Sequence, residues 1–375
     1  MHVESLRVTY RLDVEPAAAA ARAEEVAREQ TVEVPRSVVR DAFVEHHVLG
    51  RVEQLVPGPD GSSLATIAFP VAATALDPAQ LLNVLFGMTS LHADATCVDA
   101  EFPESLRAAL QGPRFGLEGL RKLLGVHERA LTCTAVKPLG QSPQALAQLL
   151  KSFARAGIDV IKDDQGLADH PFCPFEARVR ACLDAARQVA DETGHHAVYV
   201  PHLSGTPDAV DRQLGIAEAC GARAVMASPM LIGLPGFWEL CRRRAALPVF
   251  AHPTLGGAQR FAHDLLFGSL FRLFGADAVI FVGYSGRFDI PREVCRSLAA
   301  RLRRPWGTVL PALPVPGGGI QLENAAEIVS FYGNDVMLLA GGSLQLEEGA
   351  VEQRSRAFVA AVRDASARNF ESKNS

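Results

Sequence analysis

The sequence lacks the features that mark disulfide-rich, zinc-binding, membrane-spanning or nucleic-acid-binding proteins. Its seven cysteines are odd in number and form no Cys-x-x-Cys pair, so neither a disulfide framework nor a zinc site is predicted. No segment approaches the roughly 18 apolar residues of a membrane span, and no signal peptide precedes the first strand-like segment. A net charge of -5 argues against a surface for nucleic acid or anionic membranes. We therefore expect a cytoplasmic protein with reduced cysteines.

The chain is long enough for two domains, since it has 375 residues of which 48% are hydrophobic. Residues 1 to 118 run in the order strand, helix, strand, strand, helix, strand. This order is typical of a split βαβ, ferredoxin-like α+β domain. The predicted strands include Val3 to Leu12, Gly50 to Val56 and Ser63 to Pro70, and the predicted helices are Pro16 to Gln30 and Asp77 to Phe86.

From Ala130 onwards, strand-like and helix-like segments alternate strictly. Eight such units within roughly 245 residues match a (β/α)8 TIM barrel in number and length, so we assign residues 119 to 375 to a barrel. A doubly wound open sheet is the alternative. The predicted strands are Leu131 to Lys137, Ile158 to Asp164, Ala197 to Leu203, Ala222 to Met230, Pro248 to Thr254, Ala278 to Gly283, Thr308 to Val315 and Val336 to Gly341. The predicted helices include Pro143 to Ala156, Phe175 to Glu192, Pro207 to Cys220, Arg260 to Phe274, Pro291 to Arg303 and Ala325 to Phe331.

The second predicted barrel strand ends in a dense polar cluster, Lys162-Asp163-Asp164-Gln165. Because strand side chains alternate between the two faces, Lys162 and Asp164 should point into the barrel and Asp163 outwards. Two interpretations fit Lys162 beside Asp164. One is a buried salt bridge. The other is a Mg²⁺ site, for which the lysine would have to be neutral or converted by CO₂ to an anionic carbamate, because Mg²⁺ prefers oxygen ligands.

Other strand ends carry bases and glycines. In a barrel of this type the functional site lies at the carboxyl ends of the strands. Gly317-Gly318-Gly319 and Gly341-Gly342-Ser343 follow the last two strands, where backbone amides can surround a phosphate. Lys137 and His252 each precede a proline and, with Lys162, could transfer protons next to a carbonyl. These residues indicate an enzyme that enolises a phosphorylated ketone.

At Lys162-Asp163-Asp164 the sequence resembles the large-subunit family of ribulose bisphosphate carboxylase, and the resemblance extends along nearly the whole chain. Thr134-Ala-Val-Lys137-Pro is similar to the lysine motif of the family's first strand. Asn83-Val-Leu-Phe-Gly87 and Gln111-Gly-Pro113 are similar to its Asn-Val-Phe-Gly motif and Gly-Pro linker. The glycines after strands seven and eight follow in the family's order.

The resemblance implies a fold, an assembly and a set of site residues. It implies a ferredoxin-like domain packed on a barrel, and a homodimer in which one subunit's first domain closes the partner's barrel. Mg²⁺ would be held by carbamylated Lys162, Asp164 and Gln165. Glu29 and Asn83 would reach across from the other subunit, and Lys137 and His252 would flank the substrate. Its phosphate would be bound by Gly318, Gly319, Gly341 and Gly342.

Several departures from the family's pattern change the expected activity. Gln165 stands where the family usually has glutamate, so Mg²⁺ should bind more weakly. The loop Gly283 to Phe288 is short and offers Arg287 in place of the lysine of the carboxylase's long loop. Val34-Pro35 replaces a phosphate-binding Thr-Trp pair, and Leu339-Ala340-Gly341-Gly342 has one glycine fewer. The sequence therefore resembles form IV, carboxylase-like proteins, and carboxylation is not expected.

Among such relatives, isomerisation of 5-methylthioribulose 1-phosphate in sulfur salvage is the activity that the short chain and Gly166-Leu-Ala-Asp169 favour. One alternative is decarboxylation of a keto-sugar-acid phosphate, of the 3-oxo-isoapionate 4-phosphate type. A second is a barrel without catalysis that serves as a sugar-phosphate sensor or as a scaffold. In an enzyme of this kind either carbamylated Lys162 or Lys137 would be the base, and His252 and the cation would stabilise the oxyanion.

Overall fold

A computed structural model describes residues 4–286, 288, 290–346 and 350–374, without the side chains of Arg243 and of residues 371–374. Arg287, which the sequence places near the substrate, lies outside the described residues. None of the described helices is both long enough and apolar enough to cross a membrane.

The first part of the chain is the predicted α+β domain. Its four strands form an antiparallel sheet in the order β2-β3-β1-β4. Alternate residues of β1 are fully buried, as expected of a strand with one face in the core. The strands are β1 (Ser5–Leu12), β2 (Arg51–Pro57), β3 (Ser63–Pro70) and β4 (Ala95–Glu101), and the helices are α1 (Pro16–Glu29), α2 (Ala42–His47), α3 (Pro78–Phe86) and α4 (Glu104–Leu110). This order confirms the ferredoxin-like prediction.

The second part is a barrel of eight parallel strand positions, which confirms the predicted fold class and excludes the open sheet. The last strand, β13, pairs with the first, β5, and closes the ring. The strands are β5 (Leu131–Val136), β6 (Val160–Asp163), β7 (Val198–Val200), β8 (His202–Leu203), β9 (Val225–Ala227), β10 (Val249–Ala251), β11 (Ala278–Val282), β12 (Leu313–Gly317) and β13 (Met337–Leu339). The pieces β7 and β8 make up one barrel position.

Helices alternate with the barrel strands. They are α5 (Gly116–Leu124), α6 (Pro143–Arg155), α7 (Phe175–Thr193), α8 (Pro207–Cys220), α9 (Pro229–Ile232), α10 (Leu234–Glu239), α11 (Phe271–Leu273), α12 (Arg292–Arg303), α13 (Ala325–Tyr332) and α14 (Val351–Asn374). Leu117 and Leu120 of α5 belong to the apolar cluster inside the barrel, and the Leu117 amide donates to the Pro311 carbonyl, just before β12. Helix α5 therefore lies at the amino-terminal end of the barrel, and the boundary predicted at residue 118 falls within it.

Prolines explain two irregularities of the ring. Pro201 has no N–H to continue the ladder with β6, so the third strand is divided there, and the His202 amide donates instead to the Asp163 side chain at 3.1 Å. On β12, the Leu313 amide bonds towards β11, so the neighbouring Pro314 occupies a position whose N–H would face β13. The same holds for Pro316. Strands β12 and β13 accordingly lie side by side without a hydrogen-bonded ladder among the described residues.

Several predicted elements differ in their bounds, and three of them show the physical reason. The fourth strand ends at Ala227, because Pro229 begins α9. The seventh starts at Leu313 rather than Thr308, where pairing with β11 begins. The predicted helix Arg260 to Phe274 is a π-helix over Asp264–Leu270 followed by α11.

Candidate active site

A cavity of about 870 Å³ opens at the carboxyl ends of the barrel strands. Nine residues predicted for the site line it: Lys137, Lys162, Asp164, Gln165, His252, Gly318, Gly319, Gly341 and Gly342. They are brought together by the strand alternation. Val160, Val200, Met226 and Phe250 pack inside the barrel, so the residue two positions later on each strand also faces inwards, at the mouth. Those positions are Lys162, His202, Ser228 and His252, of which Lys162 and His252 line the cavity and His202 and Ser228 are buried.

Lys162 is almost completely buried at the end of β6. Only 1% of the residue is exposed, and its Nζ donates to the Asp163 carbonyl at 2.9 Å. Burial lowers the pKa of Lys162 because the charged ammonium loses its hydration. The neutral amine, which is the form that reacts with CO₂, is thus more populated than on an ordinary surface lysine.

Asp163 points away from the barrel interior, as the alternation predicts. Its carboxylate accepts from Arg178 Nε at 3.1 Å and from the Tyr199 hydroxyl at 2.6 Å, and both residues of the ion pair are fully buried. Arg178 also donates to the carbonyls of Ala168 and Cys173. One guanidinium therefore joins the end of β6 to the loop that carries Asp164 and Gln165.

Asp164 pairs with Lys137 and not with Lys162. The Lys137 Nζ lies 3.2 Å from Asp164 Oδ1, and the Lys137 side chain is 33% exposed. The salt bridge that the sequence suggested within β6 is therefore replaced by one between β5 and β6. The physical reason is that Lys162 is directed at its neighbour's carbonyl, whereas Lys137 reaches the inward carboxylate from the next strand.

The donor set for Mg²⁺ is limited. No group of three His, Cys, Asp or Glu side chains suited to a metal ion occurs among the described residues. Asp164 would supply one charged oxygen ligand and Gln165 a neutral amide oxygen. A hard cation would therefore fit these residues once Lys162 carries a carbamate, which adds a second anionic oxygen donor.

His252 follows β10 and lines the cavity. Its Nδ1 lies 2.7 Å from Thr254 Oγ1 and accepts from the Thr254 amide at 3.3 Å. Burial, and then the positive charge of Lys162, lower the pKa of His252 well below the usual value of 6.5. The imidazole is therefore neutral at physiological pH.

The glycines at the mouth differ in what their missing side chains allow. A Cβ on Gly342 would meet no heavy atom within 4 Å, so this backbone borders open space. A Cβ on Gly319 would lie 2.1 Å from the Cα of Gly286. Gly319 is therefore needed for the close approach of the loops after β11 and β12, whatever it binds. The predicted binding of a phosphate by these glycines stays a prediction.

One wall of the cavity is apolar. It is formed after β10 and around β11 and α12 by Leu255, Phe267, Ile280, Phe288 and Ile290. The predicted polar groups come mostly from β5, β6 and β10, and the glycines from the last two strands. Phe288 of this wall lies beside Gly318, where a Cβ would approach its ring to 3.6 Å. The cavity therefore offers both polar and apolar surface to a bound molecule.

Glu29 and Asn83 lie on the first domain and are not among the residues that line the cavity of their own chain. Glu29 accepts from the Thr89 hydroxyl at 3.1 Å and lies 3.0 Å from His92 Nε2. Asn83 lies beside Gly87, where a Cβ would approach its Oδ1 to 2.3 Å. The structure keeps these two residues apart from Lys162 within one chain.

The sequence did not single out Arg178 or Thr254. Arg178 lies in a helix whose composition gives no signal of a buried ion pair. Thr254 was predicted only as the end of a strand. His202 was recognised as a strand end, but it lies buried beside Ser228 and is not part of the cavity wall.

These features define a (β/α)8-barrel protein with an enzyme-type cavity, preceded by a ferredoxin-like domain. The profile of the ribulose bisphosphate carboxylase large chain, catalytic domain, matches residues 116–365. The chain therefore belongs to the ribulose bisphosphate carboxylase large-chain family. Members of this family generally use Mg²⁺ and a carbamylated lysine.

Relatives of known sequence include a carboxylase-like protein, an isomerase and an enolase. Ribulose bisphosphate carboxylase-like protein 1 of Rhodopseudomonas palustris is 45% identical over 96% of this chain and 98% of its own. The 5-methylthioribulose-1-phosphate isomerase of Rhodospirillum rubrum is 39% identical over 97% and 98%. The 2,3-diketo-5-methylthiopentyl-1-phosphate enolase of Geobacillus kaustophilus is 32% identical over 80% and 75%.

The fold is matched by solved structures. The crystal structure of a Rubisco-like protein from Rhodopseudomonas palustris superposes with a TM-score of 0.89, at 39% identity, over 96% of this chain and 98% of the other. The carboxylase-like character expected from the departures in the sequence is therefore confirmed.

Proposed function

We propose that the protein is an isomerase that moves a proton between neighbouring carbons of a phosphorylated ketose, with 5-methylthioribulose 1-phosphate as its substrate. The observation that carries this proposal is the set of residues that meet in the cavity at the barrel mouth. The cavity gathers the Lys137–Asp164 pair, the buried Lys162, a neutral His252 and the glycines of the last two strands. The isomerase of Rhodospirillum rubrum, 39% identical over nearly the full length, supports the same choice.

Lys137 is the residue best placed to move the proton. It is the more exposed of the two lysines, reaches the cavity and is paired with a carboxylate that fixes its position. As the neutral amine it would take the proton from the carbon next to the carbonyl, and as the ammonium it would return the proton to the neighbouring carbon. No atom is gained or lost in this exchange. The neutral imidazole of His252 would stabilise the negative charge on the substrate oxygen.

Lys162, as the carbamate, would hold Mg²⁺ together with Asp164 and Gln165. When bound, the ion would supply positive charge close to the oxygen on which the negative charge develops. Gln165 contributes no charge of its own, so we expect weaker binding of Mg²⁺ than with a glutamate at this position.

The two ends of the cavity support this class of substrate. The backbone at Gly341 and Gly342 is free of side chains and lies close to Lys137: a Cβ on Gly341 would be 3.8 Å from its Nζ. We place the phosphate at this end, beside the last two strands. The apolar side chains of Leu255 and Phe267 would hold the methylthio tail, which has no charge to satisfy.

Enolisation of 2,3-diketo-5-methylthiopentyl 1-phosphate is the second candidate, because the Geobacillus kaustophilus enolase is 32% identical over 80% of this chain. It also begins with removal of a proton next to a carbonyl. The residues of the cavity serve both reactions, so the distinction depends on where the proton is returned.

We also propose that the working unit is a homodimer with a shared site. Glu29 and Asn83 are held in place on the first domain, away from the cavity of their own chain. In a dimer, these two side chains would contribute to the active site in the partner's barrel. Mixing inactive Glu29→Gln and Lys162→Met subunits should restore part of the activity if sites are shared, whereas sites built within one chain would give none.

The test is proton exchange in D₂O with Mg²⁺ and bicarbonate, followed by NMR, on four compounds. They are 5-methylthioribulose 1-phosphate, 2,3-diketo-5-methylthiopentyl 1-phosphate, a keto-sugar-acid phosphate and ribulose 1,5-bisphosphate. We expect deuterium in an isomeric product of the first compound. An enol from the second alone would identify an enolase, and release of CO₂ from the third a decarboxylase. Binding without exchange would identify a sensor or scaffold.

A further inference from the structure

The hydrogen bonds of His252 determine which ring nitrogen carries its proton. The Thr254 amide donates to Nδ1 at 3.3 Å, and the Thr254 hydroxyl lies 2.7 Å from the same nitrogen. A backbone N–H can only donate, so Nδ1 has to accept through its lone pair. A neutral imidazole has a single N–H, and in this arrangement it is on Nε2.

Nε2 is the nitrogen that can meet a substrate. His252 is partly accessible and lines the cavity, while Nδ1 is turned towards the chain that follows β10. The surroundings oppose a second proton. Burial has the largest effect and keeps the pKa of this ring low. His252 is therefore held both neutral and in one tautomer.

We propose that Thr254 is a positioning residue that keeps His252 as the neutral Nε2–H tautomer, so that His252 donates a hydrogen bond to the substrate oxyanion and cannot be the base. Only the identity of the oxyanion rests on the proposed function. A protonated Nε2 has no lone pair with which to take a proton from carbon. His252 therefore stabilises charge, and the base has to be another group of the cavity, such as Lys137.

The first test measures the tautomer in the resting protein, without substrate. Two-bond ¹H–¹⁵N correlation spectra of protein labelled with ¹⁵N-histidine distinguish the two neutral forms, and the signals of His252 are those lost in His252→Gln. We expect Nε2–H in the wild type. Thr254→Val removes the 2.7 Å contact from the hydroxyl and keeps only the longer, 3.3 Å bond from the amide, so a measurable share of the other tautomer should appear. Thr254→Ser, which keeps the hydroxyl, should restore the wild-type spectrum.

The second test measures turnover. Thr254→Val should lower kcat about three- to ten-fold with little change in KM, and Thr254→Ser should stay within about two-fold, since one hydrogen bond is at stake. At position 252, a glutamine amide can place a donor near Nε2, whereas an asparagine amide lies nearer Nδ1. His252→Gln should therefore keep about ten-fold more kcat than His252→Asn. If Thr254 had a purely structural role, Thr254→Val would lower the free energy of unfolding but would not lower kcat relative to Thr254→Ser.

Three results would overturn the inference. One is an Nδ1–H tautomer or an imidazolium in the wild type near neutral pH. Another is a Thr254→Val protein with an unchanged spectrum and unchanged kcat. The third is equal loss of activity in His252→Gln and His252→Asn, as expected of a base. If Thr254→Val does not fold, the wild-type and Thr254→Ser spectra still decide the tautomer. If the proposed function is wrong, the spectra would still show the Nε2–H tautomer, but 5-methylthioribulose 1-phosphate would not be turned over.

Discussion

The buried ion pair behind the site gives the sharpest prediction about stability. In Asp163→Asn the amide can keep every contact, with its oxygen towards Arg178 Nε and the His202 amide and its NH₂ towards the Tyr199 oxygen. Only the charge is lost, which leaves the Arg178 guanidinium buried without a counterion. Removing one partner of a buried pair costs about 3–5 kcal/mol, so we expect the free energy of unfolding to fall by about that much.

The assay is urea denaturation followed by the fluorescence of the two tryptophans, Trp238 and Trp306, which both lie in the barrel part of the chain. Tyr199→Phe, which removes one hydrogen bond to the same carboxylate, should cost less, about 1.5–3 kcal/mol. The matched control is Glu176→Gln, because the Glu176–Arg180 pair is exposed on the same helix as Arg178. If Asp163→Asn destabilises the protein no more than this control, the ion pair does not hold the loop as argued.

Other predictions follow from single residues. Lys137→Met should lower kcat by about 10²- to 10⁴-fold, because it removes the group that moves the proton; steady-state kinetics measure this. Gly342→Ala should leave the unfolding free energy unchanged and weaken phosphate binding in calorimetry, whereas Gly319→Ala should destabilise the fold, since its Cβ would lie 2.1 Å from Gly286. Burial lowers the pKa of His202 from 6.5 to about 4, so stability should be complete above pH 6.5 and fall towards pH 4. His202→Gln should flatten this dependence in urea denaturation at several pH values.

Each of these has a clear contrary outcome. Normal turnover by Lys137→Met would show that another group moves the proton. Destabilisation by Gly342→Ala would show that its surroundings are not open. An equally steep loss of stability between pH 6.5 and 4 in His202→Gln would assign the dependence to other titrating residues.

The fold followed from sequence because its signals are local. Runs of β-branched and apolar residues alternating with helical segments give the eight strands, and the polar residues at their ends, such as Lys162 and His252, indicate the edge where a site must form. The ends of elements were less certain. The start of β12 depends on pairing with β11, which a single segment does not reveal.

The details of the site depend on contacts between distant segments. Asp164 takes Lys137 as its partner across two strands, and Arg178 reaches Asp163 from the following helix. The spacing of these residues along the sequence predicts neither pair. Glu29 and Asn83 were expected in the site through resemblance alone, and a single chain places them elsewhere. Thr254 acts only two residues from His252, but the turn that brings it to Nδ1 is visible only in the folded backbone.

The central claim is metal-assisted proton transfer that depends on Lys162. The most direct measurement is deuterium incorporation into 5-methylthioribulose 1-phosphate in D₂O by the wild type and by Lys162→Met, each with Mg²⁺ and bicarbonate and each after chelation with EDTA. We predict exchange only by the wild type with Mg²⁺ and bicarbonate present. Exchange at an equal rate by Lys162→Met, or wild-type exchange that EDTA does not reduce, would contradict the account.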